Sequence, residues 1–316
     1  MRICLVGYGT IAARHMEAFC EIPGVRPAVL VGRREEPTAR FAHEWGFDRH
    51  TLDLREALAD NSIDAVVITS PNELHVPQAR AALEVGKHVL LEIPMAMNLA
   101  DAEKIAALAR EVDRRLMICH TMRTVPCLEE VRRRVATGEL KLRHIVGFTG
   151  IMRQTNTSLE GRERSWTDNI LWHHAAHLVD LSMWVCGTRG PWQRLSAIGG
   201  PVHRSQGLMD LQLSFKLSGD VLVNHSLSYN HASFQSRVLF VGEEETLEYE
   251  VGTLYDADRN VIVPNQSISD LGAQNREFVD AVTEDREPAI PAEAILPTMR
   301  LLQEAEDRLR VTDSRR

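Results

Sequence analysis

The sequence predicts an α/β Rossmann domain with a doubly wound parallel sheet, followed by an α+β domain with a mostly antiparallel sheet. Three observations carry this. Short apolar runs alternate with helical stretches over the first 120 residues, the pattern of a parallel sheet covered on both faces. A glycine fingerprint, Gly7-Tyr8-Gly9-Thr10-Ile11-Ala12, joins the first strand to the first helix. Strand signals dominate from Arg194 onward, with a hairpin turn at Ser218-Gly219-Asp220.

Taken in order, Ile3 to Val6 is a short apolar strand and Ile11 to Cys20 a helix. Ala28 to Val31 is the next strand, and Pro37 to Trp45 is helical. Ala65 to Ile68 is a strand running into Thr69-Ser70-Pro71, followed by a helix over Gln78 to Glu84. His88 to Leu91 is a strand, Ala100 to Arg110 a helix, and Leu116 to Cys119 a strand. Leu128 to Thr137 and Trp166 to Cys186 read as helices. Met209 to Leu217, Val221 to Tyr229, Gln235 to Val241 and Thr246 to Val251 read as strands, and Ala292 to Arg310 as a charged amphipathic helix. The domains are therefore 1–122 and 123–316, with a C-terminal helix able to pack back on the first. An open sheet face needs a cover, so a homodimer or homotetramer is expected.

The composition narrows the class. The 316 residues are 44% apolar and 25% charged, a globular balance that excludes disorder and collagen. No apolar run is long enough to span a bilayer, and no signal peptide precedes the first strand, so a cytoplasmic enzyme without membrane contact is expected. The net charge of −8 shows no basic surplus for nucleic acid. Cys4, Cys20, Cys119, Cys127 and Cys186 are odd in number and lack CxxC spacing, which suits reduced thiols and no thiolate metal site.

The fingerprint gives each small residue a task. Gly7 allows the tight turn, Gly9 lets pyrophosphate approach the backbone, and Ala12 keeps the helix close to the sheet. Thr10 and Ile11 open the helix whose N-terminus faces the diphosphate. At the end of the second strand an acid would bond the ribose 2′-hydroxyl. Here the chain reads Val31-Gly32-Arg33-Arg34. Two guanidinium forks suit a 2′-phosphate, so NADP is expected over NAD; the alternative is a solvated loop.

Further along come Thr69-Ser70-Pro71, His75, the run Ala82-Leu83-Glu84-Val85-Gly86-Lys87-His88-Val89, and Glu92-Ile93-Pro94. With the fingerprint, this series resembles the glucose–fructose oxidoreductase / inositol dehydrogenase (Gfo/Idh/MocA) family over nearly the whole chain. The resemblance implies that Thr69, Pro71, Glu92 and Ile93 border the cofactor. The family usually reads Glu-Lys-Pro, and its lysine helps deprotonate the substrate hydroxyl; Ile93 cannot.

The block from Arg164 to Leu181 is similar to a branch of the family that also carries Glu-Ile-Pro. His120-Thr121, Arg123, Pro126, Arg153, Asn156, Pro201 and His203 fit that branch, whereas Met122 and Thr124-Val125 depart from it. The resemblance implies NADP-dependent oxidation of the cyclic hemiacetal of 4-carboxy-2-hydroxymuconate-6-semialdehyde to 2-pyrone-4,6-dicarboxylate, in aromatic degradation. A sugar or inositol dehydrogenase, or an NADP-binding regulator without chemistry, are the alternatives.

Within the block, His173 and His177 are four apart and share a helix face, continued by Asp180, while His174 points about 100° away. Acid–base catalysis, imidazoles bonded in the core, and a metal pair are the three readings of His173 and His177. The first is preferred, with no metal. Asp168 is either a helix cap paired with Ser165 or a substrate contact. Arg123, Arg153 and Arg164 suggest a carboxylated substrate, or else surface ion pairs. Trp166 and His174 complete the candidate substrate side, with Trp166 and Trp172 read as core or pocket wall. Arg237, His203 and His225 are weaker candidates. His15 is assigned packing near the turn, and His75 a helix-start contact or a place beside the cofactor.

Overall fold

The computed structural model describes residues 1–155, 168–188, 190–203, 207–265 and 271–313. Contacts divide the chain into two units. The first is Met1–His120 with Leu271–Leu296, the second Thr121–Asp270 with Pro297–Arg316.

The first unit runs β1 (Arg2–Val6), α1 (Thr10–Cys20), β2 (Arg26–Val31), α2 (Glu35–Trp45), β3 (Arg49–Thr51), α3 (Leu54–Leu58), β4 (Ala65–Ile68), α4 (His75–Glu84), β5 (His88–Leu91), α5 (Leu99–Glu111) and β6 (Leu116–Ile118). The sheet order is β3-β2-β1-β4-β5-β6, with every pairing parallel. This is the doubly wound order that places a crevice where β1 and β4 part. Ile3 to Val6 and Ala65 to Ile68 are buried throughout, because helices cover both faces of a parallel sheet. Each such Val, Leu or Ile contributes about 1.5–3 kcal/mol by leaving water. Beyond the elements read from sequence are the short β3 and α3. Asp53 caps α3 by accepting from the Arg55 amide at 2.8 Å.

The second unit begins with a 3₁₀ turn at Thr121–Thr124, then α6 (Pro126–Thr137) and β7 (Leu142–Met152). A π-helical turn at Leu171–Ala175 leads into α7 (Ala176–Val185). There follow β8 (Gln193–Gly199), β9 (Val202–His203), β10 (Gly207–Leu208), β11 (Asp210–Lys216), β12 (Leu222–Ser228), β13 (Asn230–Gly242), β14 (Thr246–Glu250), β15 (Thr253–Tyr255) and β16 (Val261–Val263). The helices α8 (Leu271–Thr283) and α9 (Ala292–Asp313) end the chain. The large sheet has the order β16-β15-β14-β13-β7-β12-β11-β8. All its pairings are antiparallel save β7 with β12. β11 and β12 alternate strictly: Leu211, Leu213, Phe215, Val223, His225 and Leu227 are buried, and the residues between them are more exposed.

Two differences from the sequence reading have clear causes. The sequence reading gives all of 123–316 to the second domain, whereas Leu271–Leu296 lies with the first unit. There α8 packs on α1, and the Ile118 amide on β6 donates to the Ile290 carbonyl at 3.1 Å. The expected long helix Trp166 to Cys186 is shorter: helical structure starts at Leu171, where the Asn169 side chain accepts from the Leu171 and Trp172 amides at 3.0 and 3.2 Å. Ser165, the expected capping partner of Asp168, lies outside the described residues.

Candidate active site

In the first unit the fingerprint occupies the turn between β1 and α1. Gly7 has φ +114°, and a Cβ there would lie 2.6 Å from Thr69 Oγ1, so only glycine fits. Thr69 holds the other side of the crevice, its amide and hydroxyl both donating to the Val6 carbonyl at 2.9 Å. Gly9 is the N-cap residue of α1 and makes no side-chain cap. A Cβ on Gly9 would meet nothing within 4 Å, leaving the open backbone approach that a diphosphate needs at a helix N-terminus. Thr10 and Ile11 form the first turn of α1. These residues fit a dinucleotide.

At the end of β2, a Cβ on Gly32 would lie 1.8 Å from Thr38 Oγ1. There is no room at position 32 for a carboxylate. Arg33 and Arg34 are exposed, and Arg34 Nε donates to the Tyr8 hydroxyl at 3.5 Å. That contact brings a guanidinium beside the fingerprint turn. The phenol holds Arg34 above the ordinary guanidinium range. Glu35, the next acid, is engaged by His50 at 2.8 Å.

The loops after β4 and β5 are joined by His75, which is buried and bonds the Pro94 carbonyl through Nδ1 at 2.8 Å and the Ser70 carbonyl through Nε2 at 2.9 Å. Pro71 sits in the first of these loops, and Ile93, 5% exposed, in the second. Glu92 follows β5. Its Oε1 lies 2.8 Å from His15 Nε2, and its Oε2 accepts from the Ile93 amide at 3.3 Å. Cys119 Sγ lies within 4.8 Å of both partner atoms, but burial, then the Glu92 charge, pushes its thiol well above the usual range.

In the second unit the histidine block starts in the π turn, closed by the Ala175 amide donating to the Ile170 carbonyl at 2.9 Å. π turns often mark functional sites. The turn rearranges the rings from regular helical spacing. His173 stacks on His174, with centroids 4.5 Å apart, and meets His177 edge-on at 6.4 Å. His174, expected to point away, is thus part of the cluster. Its Nδ1 bonds the Tyr229 hydroxyl at 2.8 Å. Burial, with His173 second, holds His174 well below the ordinary imidazole range.

Asp168 is buried and ion-paired with Arg153, Nε to Oδ2 at 3.0 Å, while its Oδ1 lies 3.6 Å from His173 Nδ1. Asn169 does the capping, and Asp168 lies against Arg153 and His173 instead. The Arg153 amide donates to the Tyr229 carbonyl at 2.8 Å. Arg123 is held by Asp180 through two bonds, at 2.8 and 2.6 Å. His225 is a core residue, with Nε2 2.9 Å from Ser182 Oγ. His203 is exposed on β9 and Arg237 ion-pairs with Glu248. Trp172 is fully buried. Arg164, Trp166 and Asn156 lie outside the described residues. Tyr229 was missed from sequence, since nothing in a strand-end tyrosine marks a histidine partner 55 residues away.

One unit with a dinucleotide-binding Rossmann turn and another carrying acid–base side chains together define an oxidoreductase. Residues 1–120 match the oxidoreductase family with an NAD-binding Rossmann fold, and residues 126–265 the C-terminal domain of bacterial oxidoreductases. The chain is 32% identical over 314 residues to 4-carboxy-2-hydroxymuconate-6-semialdehyde dehydrogenase of Sphingobium sp. (strain NBRC 103272 / SYK-6), covering 98% of this chain and 99% of that protein. The NADP(+)-type scyllo-inositol 2-dehydrogenase of Bacillus subtilis (strain 168) is 33% identical over 110 residues, 35% of this chain and 34% of that one. The solved structure of GenD2 from gentamicin A biosynthesis in complex with NAD aligns at a TM-score of 0.83 and 21% identity, over 98% of this chain and 93% of that one. The chain belongs to the Gfo/Idh/MocA oxidoreductase family, and it is an NAD(P)-dependent dehydrogenase.

Proposed function

We propose that this dehydrogenase uses NADP to oxidise a CH–OH carbon in a carboxylated hemiacetal. The favoured substrate is the cyclic hemiacetal of 4-carboxy-2-hydroxymuconate-6-semialdehyde, giving 2-pyrone-4,6-dicarboxylate. The observation that carries the reading is the likeness, over 98% of the chain, to a dehydrogenase of that semialdehyde. Ile93, in place of the lysine common in sugar-oxidising relatives, supports it. A hemiacetal hydroxyl is more acidic than a sugar alcohol, so an imidazole suffices as base.

Gly7, Gly9, Thr10 and Ile11 would hold the diphosphate, and Arg33 and Arg34 the 2′-phosphate. Bound NADP⁺ supplies the hydride acceptor. The substrate carbon loses a hydride, its hydroxyl loses a proton to His177, and the C–O bond becomes the lactone carbonyl. His173 Nδ1 faces the Asp168 carboxylate at 3.6 Å. His174 is kept neutral by burial and fixed by Tyr229. Arg153 is assigned to a substrate carboxylate, its side chain 15% exposed. A second copy of the chain on the large sheet belongs to the same proposal and is checked by light scattering of the eluted protein.

The test is NADPH formation, followed by absorbance, from freshly ring-cleaved protocatechuate, with NAD and a panel of sugars in parallel. Turnover of the semialdehyde alone is expected. Turnover of a sugar with none of the semialdehyde would overturn the substrate assignment.

A further inference from the structure

The end of β5 carries a buried hydrogen-bond chain that reaches back to α8. His15 and Asn275 are fully buried, and the Glu92 side chain is 14% exposed. Asn275 bonds His15 twice: Nδ2 donates to the His15 carbonyl at 3.3 Å, and Oδ1 lies 3.0 Å from His15 Nδ1. The first bond settles the second. A flipped amide would set Oδ1 against the carbonyl oxygen, two acceptors facing each other. With Oδ1 on the ring, Nδ1 must carry the hydrogen.

That assignment has a consequence at the other nitrogen. A neutral imidazole with hydrogen on Nδ1 has only a lone pair on Nε2, and Nε2 lies 2.8 Å from Glu92 Oε1. A carboxylate cannot donate. The contact is a hydrogen bond only if the pair holds one further proton, on the ring or on the carboxyl. Around the pair, Cys119 just after β6 is a buried thiol that also bonds Glu92, Gln274 on α8 is a buried neutral amide, and Phe19 stacks on the ring at 6.1 Å.

We infer that Asn275 and His15 are positioning residues for Glu92: Asn275 selects the His15 tautomer, and His15 then grips the carboxylate through a shared proton. The inference rests on the assignment of Glu92 to the coenzyme side. The second carboxylate oxygen accepts from the Ile93 amide, so both oxygens of Glu92 are engaged where β5 runs into the Glu92-Ile93-Pro94 segment. In a chain lacking the family lysine, the charge at this strand end is set by a pair whose net charge is zero. Its partners come from α1 and α8, far away in sequence.

Two experiments on the full chain test this. ¹⁵N-histidine NMR, with His15 assigned by comparison with His15→Phe, reads the tautomer directly. Hydrogen on Nδ1 is expected in the wild type, and its transfer to Nε2 in Asn275→Leu, where no acceptor faces Nδ1. A wild-type ring neutral with hydrogen on Nε2 would overturn the inference while leaving Glu92's own role intact. The second is a double-mutant cycle in the Kd of NADP⁺. His15→Phe and Glu92→Ala should each raise Kd about tenfold, a charge-assisted bond's worth. The double variant should exceed Glu92→Ala by no more than about twofold, because His15 acts through Glu92. Full additivity would refute positioning. A silent Glu92→Ala would instead remove Glu92 from the coenzyme side, and the positioning role with it.

Discussion

Asp180 holds Arg123 with both carboxylate oxygens, at 2.8 Å from Nε and 2.6 Å from Nη2, and the two side chains are only 1% and 9% exposed. Thr298 adds a third bond to Asp180 Oδ1 at 3.1 Å. The sequence reading gives Arg123 to the substrate; the structure gives its guanidinium a bidentate partner inside the second unit. The physical consequence is a stability dependence. Removing one partner of a buried pair strands the other charge, so Asp180→Ala should cost about 3–5 kcal/mol. Replacing both by apolar residues, Arg123→Met with Asp180→Leu, should recover most of that loss. Urea unfolding of the three proteins measures it. A loss below about 1 kcal/mol for Asp180→Ala would show the pair to be open to solvent.

The histidine cluster makes a kinetic prediction. His177→Ala should lower kcat by about 10²–10⁴-fold, the range for a lost general base, with NADP affinity near wild type. His174→Phe should act differently. It breaks the bond to Tyr229 without removing the base, so a smaller loss is expected. NADPH formation and coenzyme titration, run side by side, separate the two effects. Unchanged turnover in His177→Ala would move the base elsewhere.

Much of the first unit was legible because its signals are local. A parallel strand buried on both faces is a run such as Ala65 to Ile68, and the glycine fingerprint identifies itself by the turn it must make. The second unit hid its middle strand. β7 is interrupted by Gly147 and Gly150, which weaken a strand signal, yet both are required by close neighbours. A Cβ on Gly147 would lie 2.5 Å from His225 Nδ1, and one on Gly150 2.7 Å from the His231 ring. The histidines were visible, but their arrangement was not. Helical spacing pairs His173 with His177, whereas the π turn stacks His173 on His174. Asn275 and Tyr229 join their sites only through tertiary packing, which no spacing rule reaches.

Coenzyme choice should follow from Gly32 and the two arginines after it. With Thr38 Oγ1 1.8 Å from any Cβ at position 32, an acid cannot take the ribose from there. Replacing Arg33 and Arg34 by Ala should raise the Kd for NADP by about 10²-fold or more, taking about 1.5–3 kcal/mol for each charge-assisted bond. The Kd for NAD should change little, because NAD has no 2′-phosphate. Titration with both coenzymes decides it. Equal losses for the two would place the arginines elsewhere than at the phosphate.

The core histidine of the large sheet should leave its mark on acid stability. Burial lowers the His225 imidazole from 6.5 to about 3, and Ser182 on α7 bonds its Nε2 at 2.9 Å. In the unfolded chain the ring takes a proton near 6.5; in the folded protein it resists. The stability is complete above the unfolded value and is lost as pH falls from 6.5 towards about 3. One such site contributes a slope of about 1.4 kcal/mol per pH unit in that window. His225→Leu keeps the position apolar and leaves Ser182 its bond to the Leu178 carbonyl at 3.0 Å. The variant should therefore lose stability at neutral pH by its packing difference, and close the gap to wild type as pH drops. Unfolding free energies by urea between about pH 7 and about pH 4 read the two slopes. Parallel slopes would mean that His225 stays neutral in both states or charges in both, and that its burial does not govern the acid limb.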